Sequence, residues 1–259
     1  MPLMKTSNPA LNENIYRDAA RAQFGGGYTV DAAARMTLAG TVNKTAILLL
    51  CAFATAAWTW HDYAQALNPD AVSGRLMLGV FGGMIAAFVT IFKKEWAPVT
   101  APIYALLEGL FLGGISAIFE QRYPGIAFEA VGLTFGTLFA LLFLYKTGII
   151  RVTRNFMLGV TAATGGIMLF YFAQMLLGFF HVSFFSSVYR SGVVGIGFSL
   201  IVVVIASLNL VLDFNFVEQG VAAGAPKYME WYSAFGIIVT LVWLYLEMLR
   251  LLSKLNSRR

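Results

Sequence analysis

Residues 192–212 read GVVGIGFSLIVVVIASLNLVL, a run in which no side chain is charged. A helix needs about 20 apolar residues to cross the hydrocarbon core of a bilayer. Backbone groups in lipid must be hydrogen-bonded within their own segment, and the period-two alternation of a barrel strand is absent from this run. The stretch therefore predicts a transmembrane helix.

Six further apolar runs of similar kind surround it and are separated by short linkers that hold Pro, Gly or Asn. They lie near residues 43–60, 76–92, 99–119, 126–145, 156–180 and 232–252. We therefore predict an all-α integral membrane protein of about seven transmembrane helices, in which 76–92 is the shortest span. Residues 41–259 form the transmembrane domain, and 1–40 form a flexible cytoplasmic segment with a short interfacial helix over 31–38.

Composition excludes a soluble protein. The chain is 59% hydrophobic and 12% charged, whereas soluble domains carry about 25% charged residues. The net charge of +5 comes from Lys and Arg that flank the apolar runs, so membrane topology explains it better than nucleic-acid binding. The single cysteine, Cys51, excludes a disulfide within the chain. Without a metal-binding, phosphate-binding or nucleophile motif, we expect no enzyme, no bound metal and no cofactor.

Basic residues predict the orientation, because short cytoplasmic loops are enriched in Lys and Arg. Such residues follow the second and fourth spans: Lys93, Lys94, Lys146, Arg151 and Arg154. The alternate loops hold only Arg75, Arg122 and Arg190. The N-terminus is therefore expected in the cytoplasm, and seven spans place the C-terminus outside. The basic tail, Lys254, Arg258 and Arg259, favours the opposite side, so one re-entrant segment is the alternative.

Three pairs of glycines at a spacing of four put small residues on one face of a helix, which permits close approach of a neighbouring helix. The pairs are Gly79 with Gly83, Gly109 with Gly113, and Gly132 with Gly136. This pattern predicts packing and carries no chemistry.

Three acids lie inside or at the edge of apolar runs: Glu108, Asp213 and Glu247. An isolated charge there costs at least about 2.5 to 3.5 kcal/mol, so each should face the bundle interior or water. Glu247 has a local partner one helical turn away in Arg250. The other reading is a shared carboxylate site that titrates near neutral pH and holds a hard cation when ionised.

These residues resemble a known family. The runs APIYALLEGLFLG at 101–113, LDF at 212–214 and WLYLEMLRLL at 243–252 are similar to the Bax inhibitor (transmembrane Bax-inhibitor-motif) family, in its bacterial YccA-like branch. The resemblance covers most of the chain. It implies seven helices with the last one central, and a pH-sensitive calcium leak of the bacterial cytoplasmic membrane.

In the family, two aspartates on the sixth and seventh helices act as the pH sensor. Asp213 matches the first, and Glu247 occupies the second position, where the side chain is one methylene longer. If the last span starts near Tyr232, Glu247 lies about 22 Å along it, at 1.5 Å per residue. With Asp213 near the inner surface, the two meet only if the connection between them forms a piece of its own.

The expected partners are therefore the lipid bilayer and calcium or another cation, with Asp213, Glu247 and Glu108 as candidate ion-binding residues. A second reading is a regulatory membrane protein that binds a membrane protease or another membrane protein through its N-terminal segment. A third is a proton-coupled transporter, although internal repeats are not evident.

Overall fold

A computed structural model describes residues 34–68, 70–179 and 192–258 of the chain, and every long element in them is helical. The elements are α1 (Leu38–Ala66), α2 (Asp70–Met77), a π-helical turn (Leu78–Gly82), α3 (Gly83–Phe92), a 3-10 turn (Lys94–Trp96), α4 (Ala97–Arg122), α5 (Ile126–Lys146), α6 (Arg154–Phe179), α7 (Val193–Ala222) and α8 (Met229–Asn256). Within the described residues, seven helical stretches are long and apolar enough to cross a membrane, with α2, the π turn and α3 as one. The predicted class and number of spans are confirmed.

The chain enters α1 in an extended conformation. Thr37 has φ −128° and ψ 154°, and its hydroxyl accepts a hydrogen bond from the Gly40 N–H at 3.0 Å, which caps the helix. Arg35 forms an antiparallel bridge with Pro226. The helix predicted over 31–38 is therefore wrong in its described part, because these residues pair with a distant segment.

Several spans are longer than predicted, among them the second and the sixth. The second begins at Asp70 and runs to Phe92, so it is not the shortest. A π-helical turn interrupts it where Gly79 touches α4: a Cβ on Gly79 would lie 2.8 Å from the Leu107 carbonyl oxygen. The sixth span, α7, continues to Ala222, so Asp213 lies within this helix, about 13 Å from its end, at 1.5 Å per residue.

The chain divides into two compact units. The first comprises residues up to Arg122 together with Asp213–Val239. Here α1 packs on α4 through glycine: a Cβ on Gly109 would lie 2.1 Å from the Ala52 carbonyl oxygen, and one on Gly113 2.2 Å from that of Ala56. The close approach predicted for this pair is confirmed, as it is for Gly79 against the α4 backbone, whereas Gly83 adjoins only the Glu108 carboxylate.

The second unit comprises Tyr123–Leu212 and Thr240–Arg259. Helices α6 and α7 meet through the Phe170 and Phe198 rings, with centroids 4.9 Å apart. The amide of Asn209 donates to the Thr164 hydroxyl at 2.8 Å. On α5, Gly132 and Gly136 are exposed, with no described atom within 4 Å of an added Cβ. The packing predicted for this third glycine pair is therefore wrong within the described chain.

The last helix, α8, contributes to both units. In the first unit it contacts α4 through the Phe235 and Tyr104 rings, with centroids 4.9 Å apart in an edge-on arrangement. In the second unit it contacts α6 and α7 through polar side chains. In the apolar 18-residue stretch of α8, 56% is buried within the protein, whereas the corresponding stretch of α1 is 17% buried. The resemblance implies a central last helix, and α8 does contact many of the other helices.

Candidate functional site: ionisable side chains buried in the spans

Two of the three acids singled out in the sequence are fully enclosed. Asp213 is 0% exposed and Glu247 is 1% exposed. Asp213 stands in α7 between Leu212 and Phe214, which are also buried, so the helix turns this carboxylate away from lipid. Such placement avoids the cost of a carboxylate in hydrocarbon only where polar groups or a cation compensate it.

Glu247 belongs to a three-residue cluster in the second unit. Its Oε1 accepts hydrogen bonds from Arg250 at 2.6 Å and from the Tyr171 hydroxyl at 2.9 Å. Arg250 also donates to the Tyr171 hydroxyl oxygen at 2.7 Å, and its guanidinium lies over the Tyr171 ring, 5.4 Å from the centroid. The local ion pair expected from the spacing of Glu247 and Arg250 is therefore formed, and α6 supplies a third member that the spacing does not reveal.

One turn beyond Arg250, the last helix carries a buried lysine. Lys254 is 5% exposed. Its ammonium donates to the Gly195 carbonyl oxygen at 3.0 Å and to the Ser199 hydroxyl at 2.8 Å, both on α7. At i, i+3 and i+7, Glu247, Arg250 and Lys254 lie on one face of α8. That face therefore carries charge through a segment rich in leucine.

Glu108 is half-buried on α4, in the first unit. Its Oε2 lies 3.0 Å from the position that a Cβ on Gly83 would take, so the small residue leaves room for the carboxylate beside α3. One turn earlier on α4, Tyr104 is buried against Phe235. Glu108 thus faces a neighbouring helix just after the π-helical turn, a distortion that is frequent at functional sites.

A third fully buried carboxylate, Glu230, lies in the first turn of α8 and is 0% exposed. Its Oε2 is 2.7 Å from the Lys44 ammonium, and its Oε1 is 3.0 Å from that of Lys227. The same Oε1 accepts hydrogen bonds from both the N–H and the hydroxyl of Thr37, each at 2.9 Å. Gly40 adjoins the carboxylate, since a Cβ there would lie 2.0 Å from Oε1.

Backbone contacts reinforce this cluster. The Met36 N–H donates to the Ala225 carbonyl oxygen at 2.7 Å, and the Lys227 N–H donates to the Ala34 carbonyl oxygen at 3.0 Å. These two bonds join the segments before α1 and before α8, which therefore lie on the same side of the helices. Next to them, burial raises the pKa of the Tyr228 hydroxyl, and the Glu95 carboxylate raises it further.

Sequence reasoning missed Glu230 as a site residue, because it stands outside the apolar run that predicted the last span. The only local signal is Lys227 at i−3. Thr37 is 193 residues away, and only the fold brings it close. The sequence places Lys254 in the basic tail, and nothing in the apolar run 156–180 distinguishes Tyr171 from its neighbours.

The pairing of Asp213 with Glu247 stays a prediction. The first belongs to one compact unit and the second to the other. Each is established here as a buried carboxylate in its own helix.

Among residues 34–68, 70–179 and 192–258, no group of three or more His, Cys, Asp or Glu side chains could hold a metal ion. The chain matches the model of a protein family described as Bax inhibitor 1 like, over residues 8–257. The comparison with curated proteins finds no match. The comparison with solved structures finds none either.

Proposed function

The chain belongs to the Bax inhibitor 1 like family, and from that premise we propose that it is a pH-sensitive cation leak of the cytoplasmic membrane, with calcium as the expected ion. The observation that carries the proposal is the complete burial of Asp213 in an apolar helix. A carboxylate that is enclosed but ionisable attracts a hard cation when it is charged and loses that attraction when it is protonated. Intramembrane carboxylates of this kind mark ion pathways.

Glu247 supplies the switching element in this proposal. While ionised, it holds Arg250 and Tyr171 through one oxygen, and α6 and α8 are thereby joined. Protonation removes the charge that holds the guanidinium, and the contact between the two helices weakens. Glu108, beside Gly83, is the candidate for a pathway-lining residue in the first unit.

The proposed orientation places the N-terminus in the cytoplasm, following the distribution of Lys and Arg in the loops. The contact between residues 34–37 and 225–227 supports the span count, because two segments on one side must be separated by an even number of crossings. Six candidate spans lie between them in the part of the chain that the structure describes. A re-entrant segment among these six would make that number odd.

The test is calcium flux into liposomes that contain the purified protein, measured at several pH values. Asp213→Asn should reduce the flux at least about tenfold and flatten its pH profile, and Glu247→Gln should change the profile. The matched control is Glu129→Gln, an exposed carboxylate in the first turn of α5. Unchanged flux and pH profile in Asp213→Asn would remove Asp213 from the site, and no flux from wild-type protein would reject the leak itself.

One observation favours a second function, regulation of a membrane protease or another membrane protein. The described end of the N-terminal segment, residues 34–37, is bonded to the start of the last helix, so a partner held by that segment would act on the helix. Deletion of residues 1–30 separates the two: loss of partner binding with intact flux favours regulation. Flux that saturates with an organic substrate would instead indicate a proton-coupled transporter.

A further inference from the structure

At the start of the last helix, three side chains from two distant stretches of chain converge on one carboxylate. Thr37 precedes α1, Lys44 lies within α1, and Lys227 lies in the linker before α8. All three bond to Glu230 at 2.7 to 3.0 Å. The proposed leak does not use this cluster.

We propose that residues 34–44 and 225–230 form a latch, which ties the start of α8 to the start of α1 and whose release allows α8 to move. The latch is a conformational device that regulates the helix carrying Glu247. Only its effect on ion flux rests on the proposed function.

Few bonds join the two segments, so the contact can open without unfolding of the rest of the chain. Beyond the carboxylate cluster, the two segments are joined by two backbone hydrogen bonds, Met36 to Ala225 and Lys227 to Ala34. Lys227 is 48% exposed, so one of the two cations is in reach of solvent. Small bonded units of this kind open at a far lower free energy than whole domains do.

The electrostatics make the carboxylate the element that decides whether the latch holds. Glu230 is 0% exposed and faces two ammonium groups, and Lys44 is itself largely buried at 19% exposure. Lys44 also lies over the Trp231 ring, 5.5 Å from its centroid. Removal of the carboxylate charge leaves this ammonium among apolar groups without its anion, so the closed arrangement loses its main attraction.

The last helix carries the effect onward. It is an unbroken α-helix from Met229 to Asn256 and contains no proline. Glu247 lies about 25 Å beyond Glu230 along this rod, at 1.5 Å per residue. A shift or rotation at the start of α8 therefore reaches Glu247 and Arg250.

Disulfide trapping tests the latch directly. Residues opposed in an antiparallel bridge have Cα atoms about 4.5 to 5.5 Å apart, which suits a disulfide. Arg35→Cys and Pro226→Cys, combined with Cys51→Ala to remove the native thiol, should therefore crosslink readily in membranes under mild oxidation. Adding Glu230→Gln should slow crosslinking at least about fivefold, whereas Glu129→Gln should leave it unchanged.

A second variant keeps every charge. Gly40→Ala drives a methyl group into the space of the Glu230 carboxylate, 2.0 Å from Oε1, and should also slow crosslinking. Its control is Gly132→Ala, since no described atom lies within 4 Å of the added carbon. If Gly40→Ala crosslinks as fast as the background protein, the latch is refuted, even if Glu230→Gln does not fold.

Flux measurements on the same double-cysteine protein separate the latch from the leak. Oxidation should lower calcium flux at least about fivefold, and reductant should restore it. Flux that is present but indifferent to the disulfide would overturn the regulatory role. Absence of flux in both states, with crosslinking that still depends on Glu230, would reject the leak and keep the latch.

Discussion

The close contact between α1 and α4 leads to a prediction that can be worked out in magnitude. Gly109→Ala adds a Cβ that would lie 2.1 Å from both the Ala52 carbonyl oxygen and the Thr55 hydroxyl oxygen. Carbon and oxygen in close contact stay about 3.3 Å or more apart, so the two helices must separate by about 1 Å. The Thr55 hydroxyl, which donates to the Leu106 carbonyl oxygen at 2.8 Å, then loses its partner across the interface.

Overpacking of this kind costs about 1 to 3 kcal/mol. An interhelical hydrogen bond in a membrane contributes on average about 0.6 kcal/mol more. Alanine regains about 1 kcal/mol relative to glycine within a helix. The net expectation is that Gly109→Ala lowers the free energy of unfolding by about 1 to 3 kcal/mol.

Unfolding of the purified protein by sodium dodecyl sulfate in dodecylmaltoside micelles, followed by circular dichroism, measures this difference. Gly132→Ala is the matched control, because it belongs to a glycine pair of the same spacing with open space around it. It should leave stability unchanged or raise it by up to about 1 kcal/mol. Equal stabilities of Gly109→Ala and wild type, or a loss in Gly132→Ala as large as in Gly109→Ala, would refute the reasoning.

Three further changes in the second unit can be measured in the same way. Tyr171→Phe removes the hydroxyl that bonds to both Glu247 and Arg250 and should cost about 1 to 2 kcal/mol, and a neutral result would contradict its bridging role. Arg250→Met leaves the buried Glu247 carboxylate without its cation and should lower the free energy of unfolding by about 1 to 3 kcal/mol, less than for a fully buried pair because Arg250 is partly exposed. Adding Glu247→Gln should recover part of that loss. A purely additive double variant would argue against the ion pair. Thr164→Val removes the acceptor for Asn209 at similar volume and should cost about 1 kcal/mol, whereas unchanged stability would show that the bond contributes nothing.

Much of the fold follows from the sequence, because the cost of exposed backbone and charge in lipid leaves few alternatives. The number of spans and the helical class are confirmed on that basis. The ends of the second and sixth spans are among those that the sequence misplaced, because residues that look polar in the sequence continue the helix. Asp70 opens the second span, and Asp213 lies inside the sixth.

Some residues of the candidate site could also be predicted from the sequence, and others could not. Burial of Asp213 and Glu247 could be predicted from the cost of an acid in an apolar run, and Arg250 from helical spacing. Glu230, Tyr171 and Lys254 could not, because their partners are distant in sequence: 193 residues separate Thr37 from Glu230, and 76 separate Tyr171 from Glu247. Hydropathy and periodicity contain no information on such contacts. The glycine spacing was likewise unable to distinguish a helix interface from an open face.

The bonded pair of segments before α1 and α8 also has a consequence for biosynthesis. Lys44 is synthesised long before Glu230, so its ammonium lacks the Glu230 carboxylate as a partner while the described spans that precede α8 are made and inserted. A nascent chain that stops before residue 225 therefore retains a solvated cation and an open backbone edge at the start of α1. Synthesis of residues 225–230 closes that edge through the Met36–Ala225 and Lys227–Ala34 backbone hydrogen bonds and gives the cation its anion.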